Sequence, residues 1–150
     1  MDFSTDKIRG AMACDMFTGY LKALKIAWRP ATPEEQSVEI DVVTKGATYE
    51  VKNMLVPNYV FIEESSQSKQ DGWIHVSAAD YLIQVCVKER TVHKIPMKEL
   101  RALYSKIKQN YKLYNNKETE GLHGDKWTST FRRLELSTIQ AYIIITTHVF

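Results

Sequence analysis

The sequence predicts an α/β fold, a single domain with a central mixed β-sheet flanked by helices. Three observations carry this expectation. Residues 38–52 alternate β-branched or aromatic side chains with acids and a lysine, the period-two signature of half-buried strands. Residues 81–87, Tyr-Leu-Ile-Gln-Val-Cys-Val, form a nearly continuous apolar run, as expected of a strand covered on both faces. Stretches near 5–26 and 97–112 carry apolar residues at helical spacing. The chain has 150 residues, enough for one domain that buries about 68–70% of its unfolded surface without a metal or disulfide staple.

The elements follow in order. Ser4 or Thr5 can cap a first helix, with Asp6 placed well for the positive end of its dipole. Ile8, Met12, Met16, Tyr20 and Leu24, with Phe17 and Leu21 alongside, then mark a helix over about 5–26. The stretch Arg29-Pro30-Ala31-Thr32-Pro33 breaks it. Val38–Val43 and Thr48–Lys52 read as two strands joined by a turn at Thr44–Ala47, a β-hairpin. A third strand is expected over Asn58–Glu64 and a polar loop over Ser65–Gly72. The apolar run 81–87 is the central strand, and Thr91–Ile95 a short one. Leu100, Leu103, Tyr104, Ile107 and Tyr111 line one face of a helix over about 97–112. Residues 113–129 read as a long loop, and Tyr142–Thr147 as a final strand.

Charge and cysteines limit the function classes. Twenty Lys and Arg against 18 Asp and Glu leave a formal charge of +2, too small to attract nucleic acid in bulk, so any such surface is a local patch. No apolar run approaches the roughly 20 residues of a membrane helix. The opening Met-Asp-Phe-Ser-Thr-Asp lacks a basic stretch leading into an apolar one, so the expected compartment is the cytoplasm. Cys14 and Cys86 lie in apolar surroundings and read as buried free thiols. The four histidines share no helical spacing, so no structural zinc site is expected.

The informative stretch is Asp41–Lys52. With Lys45 and Gly46 as the turn pair, Asp41 falls opposite Glu50, and Lys52 shares the face of Glu50. Val42, Tyr49 and Val51 point to the other face, where their apolar character fits burial. Two opposed carboxylates repel, and folding alone gives no reason to place them so. A divalent cation removes the repulsion, and Mg²⁺ suits one or two carboxylates completed by water and substrate phosphate. A neighbouring lysine can orient an attacking water or stabilise charge on a phosphate. Together these suit metal-assisted hydrolysis of a phosphodiester.

Asp41, followed by Glu50-Val51-Lys52, resembles the core of the PD-(D/E)XK nuclease superfamily, with Ile40 where the name-giving proline would stand. Downstream, Phe61-Ile62-Glu63-Glu64 and the stretch from Gly72 through Ser77 and Ala79-Asp80-Tyr81 look like a pattern of small phage-type members. The resemblance covers roughly residues 5–105. It implies a restriction-endonuclease-like core, with Asp41, Glu50 and the Val51 carbonyl holding Mg²⁺, or Mn²⁺ in its place. It implies that Lys52 positions or activates water. Asp15, on the preceding helix where the family usually has Glu, is the match for an acid that orients Lys52 or binds metal through water. The implied substrate is DNA, with RNA left open; a symmetric homodimer is compatible. If the chain is phage-encoded, the compartment is the host cytoplasm.

Candidate contacts to nucleic acid are Lys69 in the polar loop, Ser77, and Lys98, Arg101, Lys108 and Lys112 on the second helix, with the pair Arg132-Arg133. Trp73 and Trp127 are candidates for base stacking, but partial burial is the safer reading for each. Simpler readings stand beside these. A cross-strand ion pair of Glu39 with Lys52 explains the hairpin charges, Glu63 fits an edge-strand surface acid, and Asp80 fits a turn cap. A catalytically inactive nuclease-fold protein that binds nucleic acid or inhibits a protein partner is the alternative function. The intact set of Asp41, Glu50 and Lys52 argues against it.

Overall fold

The computed structural model describes residues 3–66, 70–115, 119–120, 126–127 and 129–150. Lys69 and the side chain of Trp127 lie outside the described residues. The chain opens with helix α1 (Phe3–Ala23) and runs through β1 (Trp28–Pro30) and a short α2 (Pro33–Gln36) into β2 (Val42–Thr44) and β3 (Thr48–Asn53). Next come β4 (Tyr59–Ser66), β5 (Gln70–Asp71), a one-turn α3 (Trp73–Val76), β6 (Tyr81–Cys86) and β7 (Thr91–Pro96). Helix α4 (Met97–Ile107) continues as a 3₁₀ turn over Lys108–Asn110. The short strands β8 (Tyr114–Asn115), β9 (Thr119–Glu120) and β10 (Lys126–Trp127) precede β11 (Thr130–Glu135), α5 (Leu136–Gln140) and β12 (Thr146–Val149).

The expected α/β domain with a mixed sheet is present, but it holds two main sheets rather than one. The larger has six strands in the order β1-β2-β3-β6-β7-β12, parallel between β3 and β6 and antiparallel elsewhere. The third expected strand does not join it. β4 pairs instead with β11 in a second sheet of order β5-β4-β11-β8. The stretch 113–129, expected as loop, carries the short strands β8, β9 and β10. Beyond it, β11 and α5 are not among the expected elements, because β11 pairs with the distant β4, and the final strand lies at Thr146–Val149 rather than Tyr142–Thr147.

Helix α1 packs on one face of the six-stranded sheet, where Ala13, Phe17 and Leu21 meet Val42, Tyr49, Val51, Ile83, Val85 and Val92. The stripe expected from the sequence is displaced by one row: Ile8, Met12 and Leu24 are exposed. Small Ala13 lets the 13-17-21 row approach the sheet, and parallel apolar rows on one helix cannot be ranked by spacing alone. The helix stops before residue 26 because the chain turns at Lys25, with φ 58°, and Ile26 N–H donates to Leu21 O. Helix α2 begins at a capping box: Thr32 accepts from Glu35 N–H while the Glu35 carboxylate accepts from Thr32 N–H, and Pro33 fills the first turn.

The second core lies on the opposite sheet face. There Leu82, Cys86 and Ile95 meet Val60, Ile62 and Leu134 of the second sheet, together with Leu100 and Tyr104 of α4 and Ile139 of α5. The molecule is therefore layered as helix, sheet, and second sheet with helices. β6 occupies the centre of the larger sheet and is buried along almost its whole length, as its apolar run predicts. Cys14 and Cys86 are free thiols. Among the described residues no helix is long and apolar enough to cross a membrane.

Candidate active site

The hairpin register is the expected one where the strands pair, with Val42 opposite Tyr49 and Val43 opposite Thr48. The turn closes with Thr44 N–H donating to Ala47 O. At its open end the ladder is irregular. In the regular pattern the Asp41 N–H would face away from β3, yet it donates to Tyr49 O at 2.8 Å. The Asp41 carboxylate then takes over the role of the missing strand residue, its Oδ2 accepting from the Val51 N–H at 2.7 Å. Asp41 is thus tied to the main chain of β3 rather than simply facing the Glu50 side chain. A strand residue's C=O leaves by the same edge as its N–H, so the Val51 carbonyl also lies on the Asp41 side of β3.

Strand alternation sends Tyr49 and Val51 into the α1 core and Glu50 and Lys52 to the opposite face. Glu50 is fully buried, and neither carboxylate oxygen completes an aligned hydrogen bond, although the Lys52 ammonium and the Ser77 hydroxyl both favour its charge. Its neighbour Lys52 brings Nζ within 3.0 Å of Oε1, an ion-pair contact not aligned as a hydrogen bond. Burial pushes the Glu50 carboxyl up to about 7, against the pull of the Lys52 charge. Burial also raises Asp41, opposed by the Val51 N–H and by Lys52. For Lys52, burial works against the charge, but Glu50, Glu39 and Asp41 outweigh it and raise its pKa. The lysine stays an ammonium at neutral pH.

Two further acids act on this lysine, one by contact and one across the cleft. Glu39 Oε2 lies 3.8 Å from Lys52 Nζ, the pairing of the simpler reading. It is not a strand residue as expected: Glu39 sits in a turn with φ 63°, which swings it to the edge of the site. Glu63 is half-buried and its carboxyl is raised by burial, with Lys52 and the Trp73 backbone amide opposing. It lines a cleft of about 490 Å³ with Lys52. The cleft is completed by Arg9 from α1, Gln84 from β6, and Phe61, Trp73 and Phe131 from the second sheet and α3. Gln84 lies next to Lys52 in the parallel β3–β6 pair. Sequence reasoning passed over Gln84 and Arg9; a single amide inside an apolar run was the only signal for the former.

The remaining candidates are placed as follows. Asp15 is exposed on α1 and makes no side-chain hydrogen bond or ion pair among the described residues; its charge and that of Asp41 both act on the half-buried Cys14 thiol. Ser77 is buried, donating to Glu39 O and accepting from Ala79 N–H, so it shapes a turn. Arg101 holds main chain: Nε donates to Ile74 O at 2.6 Å and Nη2 to Ser77 O at 2.7 Å. Lys108 is drawn to Glu64, whose carboxylate also accepts from Tyr104 OH and Arg132 and contacts His75. Lys98 is exposed on α4 and Lys112 lies over the Tyr114 ring. Trp73 is buried, and Asp80 accepts from the Thr48 N–H, capping the start of β3. Gly72 permits a close approach, since a Cβ there would collide with the Glu63 carbonyl.

Among the described residues no three His, Cys, Asp or Glu side chains converge into a ready-made metal cage. Mg²⁺ does not need one, because it keeps several waters and takes one or two carboxylates. The donor chemistry fits such an ion: Glu50 has two oxygens without an aligned hydrogen bond, one of them in ion-pair contact with Lys52, Asp41 has one oxygen beyond its bond to Val51, and the Val51 carbonyl lies on the same edge. A comparison with protein-family models, curated proteins and solved structures finds no match to this chain.

Proposed function

We propose that this protein is a Mg²⁺-dependent nuclease that hydrolyses phosphodiester bonds of DNA, with a restriction-endonuclease-like core. The observation that carries the reading is Glu50, a fully buried carboxylate whose oxygens complete no aligned hydrogen bond and whose charge is met by Lys52 at 3.0 Å. Burying a carboxylate costs more than one lysine contact returns, so a cation that takes up its remaining lone pairs is the economical explanation.

Glu50, Asp41 and the Val51 carbonyl would hold the ion, Mg²⁺ or Mn²⁺. When bound, it supplies Lewis-acid polarisation of the scissile phosphate and a water of lowered pKa. Lys52, kept protonated by its acidic neighbours, donates hydrogen bonds. It therefore orients the attacking water or holds a phosphate oxygen, and does not serve as the base. Glu63 and Gln84, on the cleft wall beside Lys52, would restrict how the phosphodiester enters. Asp15 makes no side-chain hydrogen bond or ion pair among the described residues and is assigned no step.

The test is cleavage of supercoiled, linear, branched and single-stranded DNA with Mg²⁺ or Mn²⁺, with EDTA as control. Wild type is expected to cut only with metal, and Glu50→Gln and Lys52→Ala to lose at least about a hundredfold in rate, consistent with removing a positioned charge. Cleavage that persists in EDTA, or at full rate in Glu50→Gln, overturns the proposal. One observation favours the second reading, a non-catalytic binding protein: Lys52 already contacts two carboxylates, Glu39 and Glu50. Nucleic acid bound without any cutting would select it.

A further inference from the structure

Strands β4 and β11 present two unlike faces. The inward face carries Val60, Ile62 and Leu134, all fully buried in the core. Alternation puts Phe61 and Glu63 of β4, with Phe131 and Arg133 of β11, on the outward face. Tyr114 of β8 is in register with Phe131 and joins them. The rings form a continuous row: Phe61 and Phe131 have centroids 5.5 Å apart, and Tyr114 stacks on Phe131 at 5.7 Å with an interplanar angle of 21°. Two cations lie over the end of the row. The Arg133 guanidinium is 4.6 Å from the Tyr114 centroid and Lys112 Nζ is 4.9 Å from it.

We propose that this face is a stacking platform for unpaired bases of a nucleic-acid strand whose backbone enters the Lys52 cleft. The inference rests on the reading that the cleft takes nucleic acid. Three features favour that occupant over an apolar protein segment. The rings are only half-buried, and two cations stand at the Tyr114 end of the row. Arg133 and Lys112 form no ion pair among the described residues, so their charge is available to phosphates. Phe61 and Phe131 also line the cleft of about 490 Å³ that holds Lys52 and Glu63, so a base stacked there leaves its phosphodiester beside Lys52. Aromatic rings reach the faces of unpaired bases, whereas a duplex keeps those faces stacked inside. The platform therefore selects single-stranded or locally opened substrate over continuous duplex.

The experiment is fluorescence anisotropy of labelled oligo-dT, oligo-U and a duplex of equal length, in EDTA so that the probe survives. Wild type is expected to bind a single strand at least about tenfold more tightly than duplex. Phe131→Leu is expected to weaken single-strand binding about tenfold with little change for duplex, the scale of a single base–aromatic stack. The dT and U arms distinguish DNA from RNA as the source of the unpaired base. If Phe131→Leu fails to fold by circular dichroism, Arg133→Gln, an exposed position, is expected to lose single-strand affinity in the same assay. Equal affinity for single strand and duplex, or single-strand affinity unchanged in a folded variant, overturns the inference. Platform-dependent binding without cleavage would uphold it and overturn the nuclease reading. Metal-dependent cleavage with no single-strand preference would do the reverse.

Discussion

Glu50 lies where the neutral acid is favoured in the folded protein and the carboxylate in the unfolded one, since burial lifts its pKa from 4.5 to about 7. A raised folded pKa means that the contribution is fully present below the unfolded value and is lost as pH rises through the folded one. Unfolding free energy should therefore fall between about pH 4.5 and 7, by an amount on the order of 3 kcal/mol. Asp41 and Glu63, also raised by burial, act in the same direction. In Glu50→Gln most of that slope should disappear, which urea titrations at pH 5 and pH 8 would measure. The slope is the readout rather than the absolute stability, because the variant also leaves the Lys52 charge to Glu39 and Asp41. An unchanged slope would mean that Glu50 is ionised throughout the range.

At the scale of elements, the site depends on how short pieces are held in place. Helix α3 has four residues and no side-chain cap at its start, and Arg101 on α4 holds the carbonyls of Ile74 and Ser77 near its end. Ser77 in turn donates to the Glu39 carbonyl, so the clamp reaches the turn that carries Glu39 to Lys52. Arg101 was expected from the sequence to meet phosphate; its donors are occupied within the fold instead. Arg101→Met should cost about 1–3 kcal/mol by leaving buried carbonyls without donors, read as a lower urea midpoint. Nucleic-acid binding by the folded variant should stay unchanged. Weaker binding at unchanged stability would return Arg101 to the interface. The hairpin shows the opposite case: its register is local, written in the turn Thr44–Ala47 and the alternation on either side, and the structure keeps it. Only its irregular end at Asp41 departs, because the main-chain partner there depends on how β1 and α2 approach.

Across the whole molecule, a charge of +2 gives little general attraction for a polyanion, so binding must come from placement. Lys108 is drawn to Glu64, while Lys98 stands at the start of α4 and Lys112 beside the aromatic face. Removing one cation that meets a phosphate should reduce the salt slope of binding by about one. Lys112→Ala should show that reduction and Lys98→Ala should not, measured as log affinity against log salt. Equal effects would place α4 itself on the binding surface.

The sequence by itself determined the α/β class, the hairpin, the buried strand β6 and the pairing of Glu50 with Lys52 on one face. Each is set by alternation or spacing within a few residues, which sterics impose on any strand or helix. Only the tertiary structure decided that β4 leaves the main sheet to pair with β11, that Glu39 meets Lys52 and Glu63 shares its cleft, and that Phe61, Phe131 and Tyr114 line up in a row. Strand partners and cleft walls come from contacts between segments tens of residues apart, chosen by which apolar faces bury best together. No local period records that choice.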